Sequence, residues 1–408
     1  MRIAWVGPLP PSPSSVAEYS ADLLPHLARL VPTTAFTTGH GWAPDRPVPG
    51  LTVRPHTELA EALREDPGLV AVHHVACNPH HRFVHDLASR LPGVLVLHDV
   101  ALHPDLLGRA VAEGDWGPYR HALAEQYGPR SEDLVRMRRG GLGGGLEQVV
   151  LPLSGPLVRR SVVTVVHSRH ARELARQECP TGVFHVVPHH AGMPPAGVPL
   201  TPGQVRSRLG VSASALLAGC FGAAGGEVLL RALAQLTAER VEAAVVFVGP
   251  EGQRGALAAR ADELGVAPQV CFAEAATRPE LYAHLAALDA VVSLPHPSAG
   301  DTSGMVERAM SAGKCLVVGD CANLAELPPD ACVPVPVHDD PAPELARALR
   351  RLAERPSLRR VLGDRAVRHA TVELHPHRCA RRYAEVAAAA RYLANGGPPM
   401  EPAALTGA

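Results

Sequence analysis

The stretch Ala290-Val291-Val292-Ser293-Leu294-Pro295-His296-Pro297-Ser298-Ala299-Gly300-Asp301-Thr302-Ser303-Gly304 decides the fold. A short apolar run ends in a turn rich in Pro and Gly, and Met305 to Gly313 continues with helical spacing. Strand, turn and helix in immediate succession are half of a βαβ unit, and the helix turns its unpaired N–H groups toward the space beyond the strand end. Ser303 and Gly304 therefore stand at an anion site. Asp301 would repel a phosphate, so it reads as an acceptor of hydrogen bonds from ligand hydroxyls; the plainer alternative is that Asp301 or Thr302 caps the helix.

The same alternation runs through the chain. Strands are expected at 3–6, 34–38, 69–74, 94–97, 162–166 and 184–187, then at 216–221, 244–248, 270–272, 290–294, 316–318 and 332–335. The fold class is α/β, with two doubly wound parallel-sheet domains at 1–190 and 211–372. A linker is expected at 191–210, read from the Pro/Gly-dense run from Pro188 to Pro199. A helix within 373–395 is expected to pack back on the first domain, and 396–408 reads as a disordered tail. Ligands of such sheets bind at the carboxyl ends of the strands.

With 408 residues, 46 % apolar and 19 % charged, the chain can bury two cores. A net charge of −1 supplies no global field for nucleic acid or an anionic membrane, so nucleic acid is excluded as a partner. The eight cysteines form no C-x-x-C pair and read as buried thiols of a reducing compartment. The apolar start is too short for a signal peptide and no run of 18 apolar residues occurs, so a soluble, cytoplasmic protein without a transmembrane segment is expected. Lys314 is the sole lysine among 39 basic side chains.

Several chemistries are poorly served. No D-x-D occurs, which disfavours a metal-dependent single-domain transferase, and no metal site is expected. Lys314 lacks the glycine pattern of a phosphate-binding P-loop, and Gly140-Gly141-Leu142-Gly143-Gly144-Gly145 follows helical rather than strand sequence, so it reads as a helix-to-helix loop. Arg136, Arg138, Arg139, Arg159 and Arg160 read as a solvated face, or alternatively as a patch for an acidic acceptor or a peripheral membrane contact.

In ordered motifs the chain resembles the family 4 retaining glycosyltransferases of GT-B fold, two Rossmann-like domains facing a cleft. The bacterial subgroup with a Gly-Glu-Thr-Ser-Gly donor loop is the nearest match. The resemblance rests on Gly300-Asp301-Thr302-Ser303-Gly304, Arg308-Ala309-Met310-Ser311-Ala312-Gly313, Leu316-Val317-Val318-Gly319-Asp320 and Glu326-Leu327-Pro328. In the first half it rests on Ser14-Ser15-Val16-Ala17-Glu18-Tyr19-Ser20, Asn78-Pro79-His80-His81, Val96-Leu97-His98-Asp99 and Val165-Val166-His167-Ser168. It implies transfer of a sugar, with retention, from a nucleoside diphosphate sugar to a small or lipid-linked acceptor, with no cofactor beyond that co-substrate. Natural-product or cell-envelope glycan synthesis would suit it.

By the same resemblance, His98 and Asp301 are the catalytic candidates. Ser14, Ser15, Val16, Gly222, Gly300, Thr302, Ser303, Gly304, Glu307, Arg308 and Glu326 face the donor, and Asn78 and His81 lie on the acceptor side. Read as residues alone, His80, His81, His189 and His190 are structural, and so is the alternative for His98. The family's diphosphate clamp of Arg and Lys has no counterpart in Phe221-Gly222-Ala223-Ala224-Gly225-Gly226-Glu227. Arg231, Arg254 or Arg278 would have to compensate. Otherwise the chain is a degenerate relative that binds without turnover, or a bilobal small-molecule binder.

Overall fold

The computed structural model describes the chain apart from residues 40, 41, 45, 46, 223, 250, 251, 253, 276, 296, 297, 299, 301, 303 and 398–408. Asp301, Ser303 and nearly all of the expected tail thus lie outside the described residues. By its contacts the chain divides into two units. The first holds Met1–His190, Ser298–Thr302 and Pro376–Ala408, and the second holds Ala191–Pro297 and Ser303–His375.

The first unit is built on strands β1 (Arg2–Val6), β2 (Thr33–Thr37), β3 (Leu51–Pro55), β4 (Leu69–Val75), β5 (Val94–Leu97), β6 (Val163–Val166) and β7 (Phe184–Val186). They form one sheet of order β3-β2-β1-β4-β5-β6-β7, parallel throughout. The sheet is apolar on both faces because successive side chains point to opposite sides. Trp5, Val72, Val94 and Val96 meet Tyr19, Leu23 and Leu24 of the Ser15–Ala28 helix and Tyr383 and Val386 of the Pro376–Ala394 helix. Val6, Leu95, Leu97 and Val166 pack on the other face with Val84 and Ala171. The phenols of Tyr19 and Tyr383, 2.9 Å apart, tie the C-terminal helix to the N-terminal one.

The second unit has β8 (Leu216–Phe221), β9 (Ala243–Val248), β10 (Val270–Ala273), β11 (Ala290–Ser293), β12 (Cys315–Gly319) and β13 (Cys332–Val335). Their order is β10-β9-β8-β11-β12-β13, again all parallel. Strand order therefore reverses between β1 and β4 in one sheet and between β8 and β11 in the other. Crevices open at such switch points.

Two elements escape the sequence pattern. The sheet-edge strand β3 has no apolar run and only a partly buried face. Within the expected linker, Pro202–Arg208 is helical because Thr201 and Gln204 form a reciprocal capping box and Pro202 is preset for the first turn. The glycines from 140 to 145 do connect two helices, Glu132–Arg139 and Leu146–Val150. Arg136 pairs with Asp133, and Arg159 and Arg160 with Glu125, which favours the solvated-face reading for those three, whereas Arg138 is largely shielded in its pair with Glu147. The eight cysteines are all free thiols. Among the described residues no helix is long and apolar enough to cross a membrane.

Candidate functional site

The switch point of the first sheet is laced by a side-chain bond. Ser14 caps the Ser15–Ala28 helix after β1, its Oγ accepting from the Val16 N–H. His81 closes the Pro79–His81 turn after β4. Ser14 Oγ and His81 Nε2 lie 2.9 Å apart, and His81 Nδ1 donates to the His74 carbonyl at 2.8 Å. A neutral imidazole that donates through Nδ1 accepts through Nε2, so the Ser14 hydroxyl donates to His81. The two residues expected on donor and acceptor sides are thus partners of each other. His81 is 1 % exposed and its ring has no nitrogen left for an acceptor, while Ser15 is exposed on the first turn. Asn78 spends its side-chain oxygen on the His80 N–H as a cap.

His98 follows β5 and is 5 % exposed. Its direction of bonding is dictated from one end. His167 Nδ1 lies 2.9 Å from the Val187 carbonyl, which can only accept, so His167 Nε2 is an acceptor. His98 Nδ1, 3.1 Å away, donates to it. His98 Nε2 must then accept from His74 Nδ1 at 3.0 Å. His74 Nε2 is left as a buried acceptor with no partner among the described residues. The three rings form a one-way relay of neutral Nδ1–H imidazoles.

Burial keeps that relay neutral. It holds His98 and His74 well below the usual imidazole range, and the neighbouring rings, His167 foremost, add to the effect. Burial lowers His167 and His81 to about 4, against the pull of the Val187 and His74 carbonyls. Trp5 stacks on His74 at 3.7 Å between centroids, and Tyr19 lies against His98 edge-on and stacks on His190. Both ring nitrogens of His98 are taken, so the ring cannot hydrogen-bond a sugar hydroxyl in this arrangement. His74 and His167 were not singled out as site residues, although β4, β5 and β6 each run from valines or leucines into histidine.

In the second unit the switch point lies between the loops after β8 and β11. Gly222 takes φ +79° and Gly225 φ +76°. A Cβ on Gly225 would sit 2.7 Å from the Leu294 Cβ and 3.0 Å from its carbonyl oxygen, so the two loops touch through backbone that only glycine permits. The loop after β11 continues into Gly300, at φ +78°, and Thr302, within the stretch Ser298–Thr302 that is counted with the first unit. Its Asp301 and Ser303 are not among the described residues. Gly304 opens the Gly304–Ser311 helix.

Glu307, in the first turn of that helix, is 8 % exposed, and its Oε2 has no hydrogen-bond partner among the described residues. Burial raises its carboxyl to about 8, opposed by a backbone N–H and by Arg308, so it is mostly protonated at neutral pH. Arg308 is half-buried, and Glu326 ends the Ala322–Glu326 turn.

Each candidate arginine has a partner. Arg231 pairs with Asp340, Arg254 lies over the Phe272 ring at 5.2 Å, and Arg278 donates to the Met193 carbonyl. Arg254 and Arg278 begin the helices after β9 and β10, at the carboxyl edge, whereas Arg231 lies within the Gly226–Ala238 helix. Lys314 precedes β12, at the opposite edge, and donates to the Ala286 and Leu288 carbonyls.

Residues 215–355 match the family model described as glycosyl transferases group 1. No curated protein sequence matches the chain. Sucrose-phosphate synthase from Thermosynechococcus elongatus is similar at TM-score 0.62 and 15 % identity, over 97 % of this chain and 100 % of that one. HepE of Anabaena in complex with UDP-glucose matches at TM-score 0.62 and 15 % identity, over 95 % and 99 %. WaaG, a glycosyltransferase of lipopolysaccharide biosynthesis, matches at 0.58 and 16 %, over 94 % and 99 %. The chain thus carries the GT-B glycosyltransferase fold along nearly its whole length and, from 215 to 355, the sequence pattern of the group 1 glycosyl transferases.

Proposed function

We propose that the protein is a glycosyltransferase that moves a sugar from a nucleoside diphosphate sugar, with retention and without a metal, to a small or lipid-linked acceptor. The observation that carries this reading is the match of 215–355 to the group 1 model within a chain of GT-B fold. The matched segment contains both loops of the second switch point, where nucleotides bind in doubly wound sheets. In this reading the second unit takes the nucleotide and the first the acceptor. The Gly304–Ser311 helix terminus receives the departing diphosphate, and Asp301 takes sugar hydroxyls. His98 is a positioning residue, fixed by His74 and His167, and Ser14 with His81 holds the turn before the first helix. Uracil is one candidate for the nucleotide base, since HepE is described in complex with UDP-glucose.

A second reading, a relative that binds donor without turnover, is favoured by the want of a diphosphate clamp. The sole lysine is bound to carbonyls at the far edge of the sheet, and all three candidate arginines have partners. The test is a thermal-shift screen with UDP, GDP and dTDP and their sugars, followed by transfer and hydrolysis assays with whichever donor stabilises the chain. Stabilisation with turnover supports the transferase. Stabilisation without turnover supports the second reading, and no stabilisation by any nucleotide overturns both.

A further inference from the structure

The second unit has another polar concavity, at the edge of its sheet opposite the β8 and β11 loops. Asp289 precedes β11 and Lys314 precedes β12, so both stand at the amino-terminal edge. With Cys315, Pro356, Arg359 and Arg360 they line a cavity of about 250 Å³. That space suits a phosphoryl group with a few further atoms, since pockets for drug-sized ligands run from about 300 Å³ upward.

The charges in the cavity do not balance. Its one carboxylate, Asp289, is already committed: Oδ2 accepts from the Leu217 N–H at 2.9 Å and pairs with Arg206. Arg206 in turn spends three further N–H donors on the carbonyls of Ala287, Ser212 and Ala215. Lys314 Nζ donates to the Ala286 and Leu288 carbonyls at 2.8 and 3.2 Å, which orients the ammonium without neutralising it and leaves its third N–H without a hydrogen-bond partner among the described residues. Arg359 donates to the Leu352 carbonyl through one Nη and lies 3.5 Å from Asp289 through the other. Arg360 is exposed and has no ion pair among the described residues. Lys314, Arg359 and Arg360 are therefore a surplus of positive charge. Arg359 and Arg360 are the fourth and fifth residues of the Pro356–Val372 helix, whose first turn holds no acidic residue.

We propose that this cavity binds a compact phosphate-class dianion, either the free ion or the phosphoryl group of a small metabolite, at a site separate from the proposed donor edge. Guanidinium groups grip two anion oxygens at once and the ammonium supplies a point charge, the combination that recognises phosphate. The inference does not depend on the proposed transferase activity.

Calorimetric titration of the full chain with inorganic phosphate, and separately with glucose 6-phosphate, tests it. Arg360→Ala removes an exposed side chain and is expected to leave the melting temperature unchanged while weakening binding about tenfold, the worth of one charge-assisted hydrogen bond. Arg360→Glu is expected to abolish binding, and Arg347→Ala, on a different helix, to leave it unchanged. Lys314→Met should also abolish binding, with its folded fraction checked because the ammonium holds two carbonyls. Tighter binding of glucose 6-phosphate than of phosphate assigns the site to a phosphorylated metabolite, and equal or weaker binding assigns it to the free ion. Absence of binding by both probes, or equal affinity in the parent and all Arg360 and Lys314 variants, overturns the proposal.

Discussion

His98 Nδ1 donates to His167 Nε2 across 3.1 Å, from the end of one parallel strand to the end of its neighbour. Because the Val187 carbonyl can only accept, that bond has one direction, and the direction propagates to His74. Nitrogen-15 spectra at neutral pH are expected to show the Nδ1–H tautomer at all three histidines. His167→Phe leaves the buried His98 N–H unanswered and should cost about 1–3 kcal/mol in urea unfolding. An Nε2–H tautomer at His98 would contradict the relay.

Acid should weaken the first unit. His73, His81 and His167 are held at about 4 by burial, whereas in the unfolded chain they titrate near 6.5. Between those values the unfolded chain binds more protons, so stability rises with pH across the window. Their contribution is complete above pH 6.5 and is lost as pH falls toward 4, by at most about 3 kcal/mol for each ring. Denaturation midpoints measured from pH 7 to pH 4 should fall accordingly, and a flat profile would show that these rings are hydrated.

Glu307 has the opposite sign. Its folded carboxyl titrates at about 8 against 4.5 unfolded, so the folded state holds more protons in between and its contribution is lost as pH rises from 4.5 through 8. Glu307→Gln should match the parent near pH 4.5 and exceed its stability by about 3–5 kcal/mol at pH 9. Equal stability of the two proteins at pH 9 would mean that the carboxylate finds a partner.

Gly225→Ala should destabilise the second unit. The left-handed backbone alone costs about 1–2 kcal/mol for a residue with a Cβ. The contact with Leu294 adds to that, because the nearest atoms include backbone that cannot swing away. Thermal unfolding of the variant at or above the parental midpoint would show that the loops separate readily.

If the chain transfers sugar, one arginine of the second unit has to leave its present partner for the diphosphate. Ala variants of Arg231, Arg254 and Arg278 should then include one that loses about 10²-fold in kcat with its fold intact, the scale of one lost preorganised donor. Parental rates in all three would reject the compensating arginine.

Much of the fold is legible from the chain alone. Runs such as Val94–Leu97 and Leu216–Phe221 are buried on both faces, so their apolar character marks strand and parallel pairing together, and their bounds coincide with the observed elements. The edge strand β3 and the Pro202–Arg208 helix were not legible in this way. One gains its order from pairing with β2, and the other is short and held by its cap and by packing.

The sequence by itself determined two doubly wound units, the loops after strands that carry Ser14, Asn78, Gly222 and Gly300, and the want of a lysine in any of them, because periodicity and residue type are local properties. Only the tertiary structure decided which side chains meet. Ser14 bonds His81, 67 positions away, and His98 bonds His167, 69 positions away, because strand order rather than chain order makes β1 the neighbour of β4 and β5 the neighbour of β6. The same packing strips water from Glu307 and the histidines, and so sets their charge, which depends on the surroundings of a group and not on its identity.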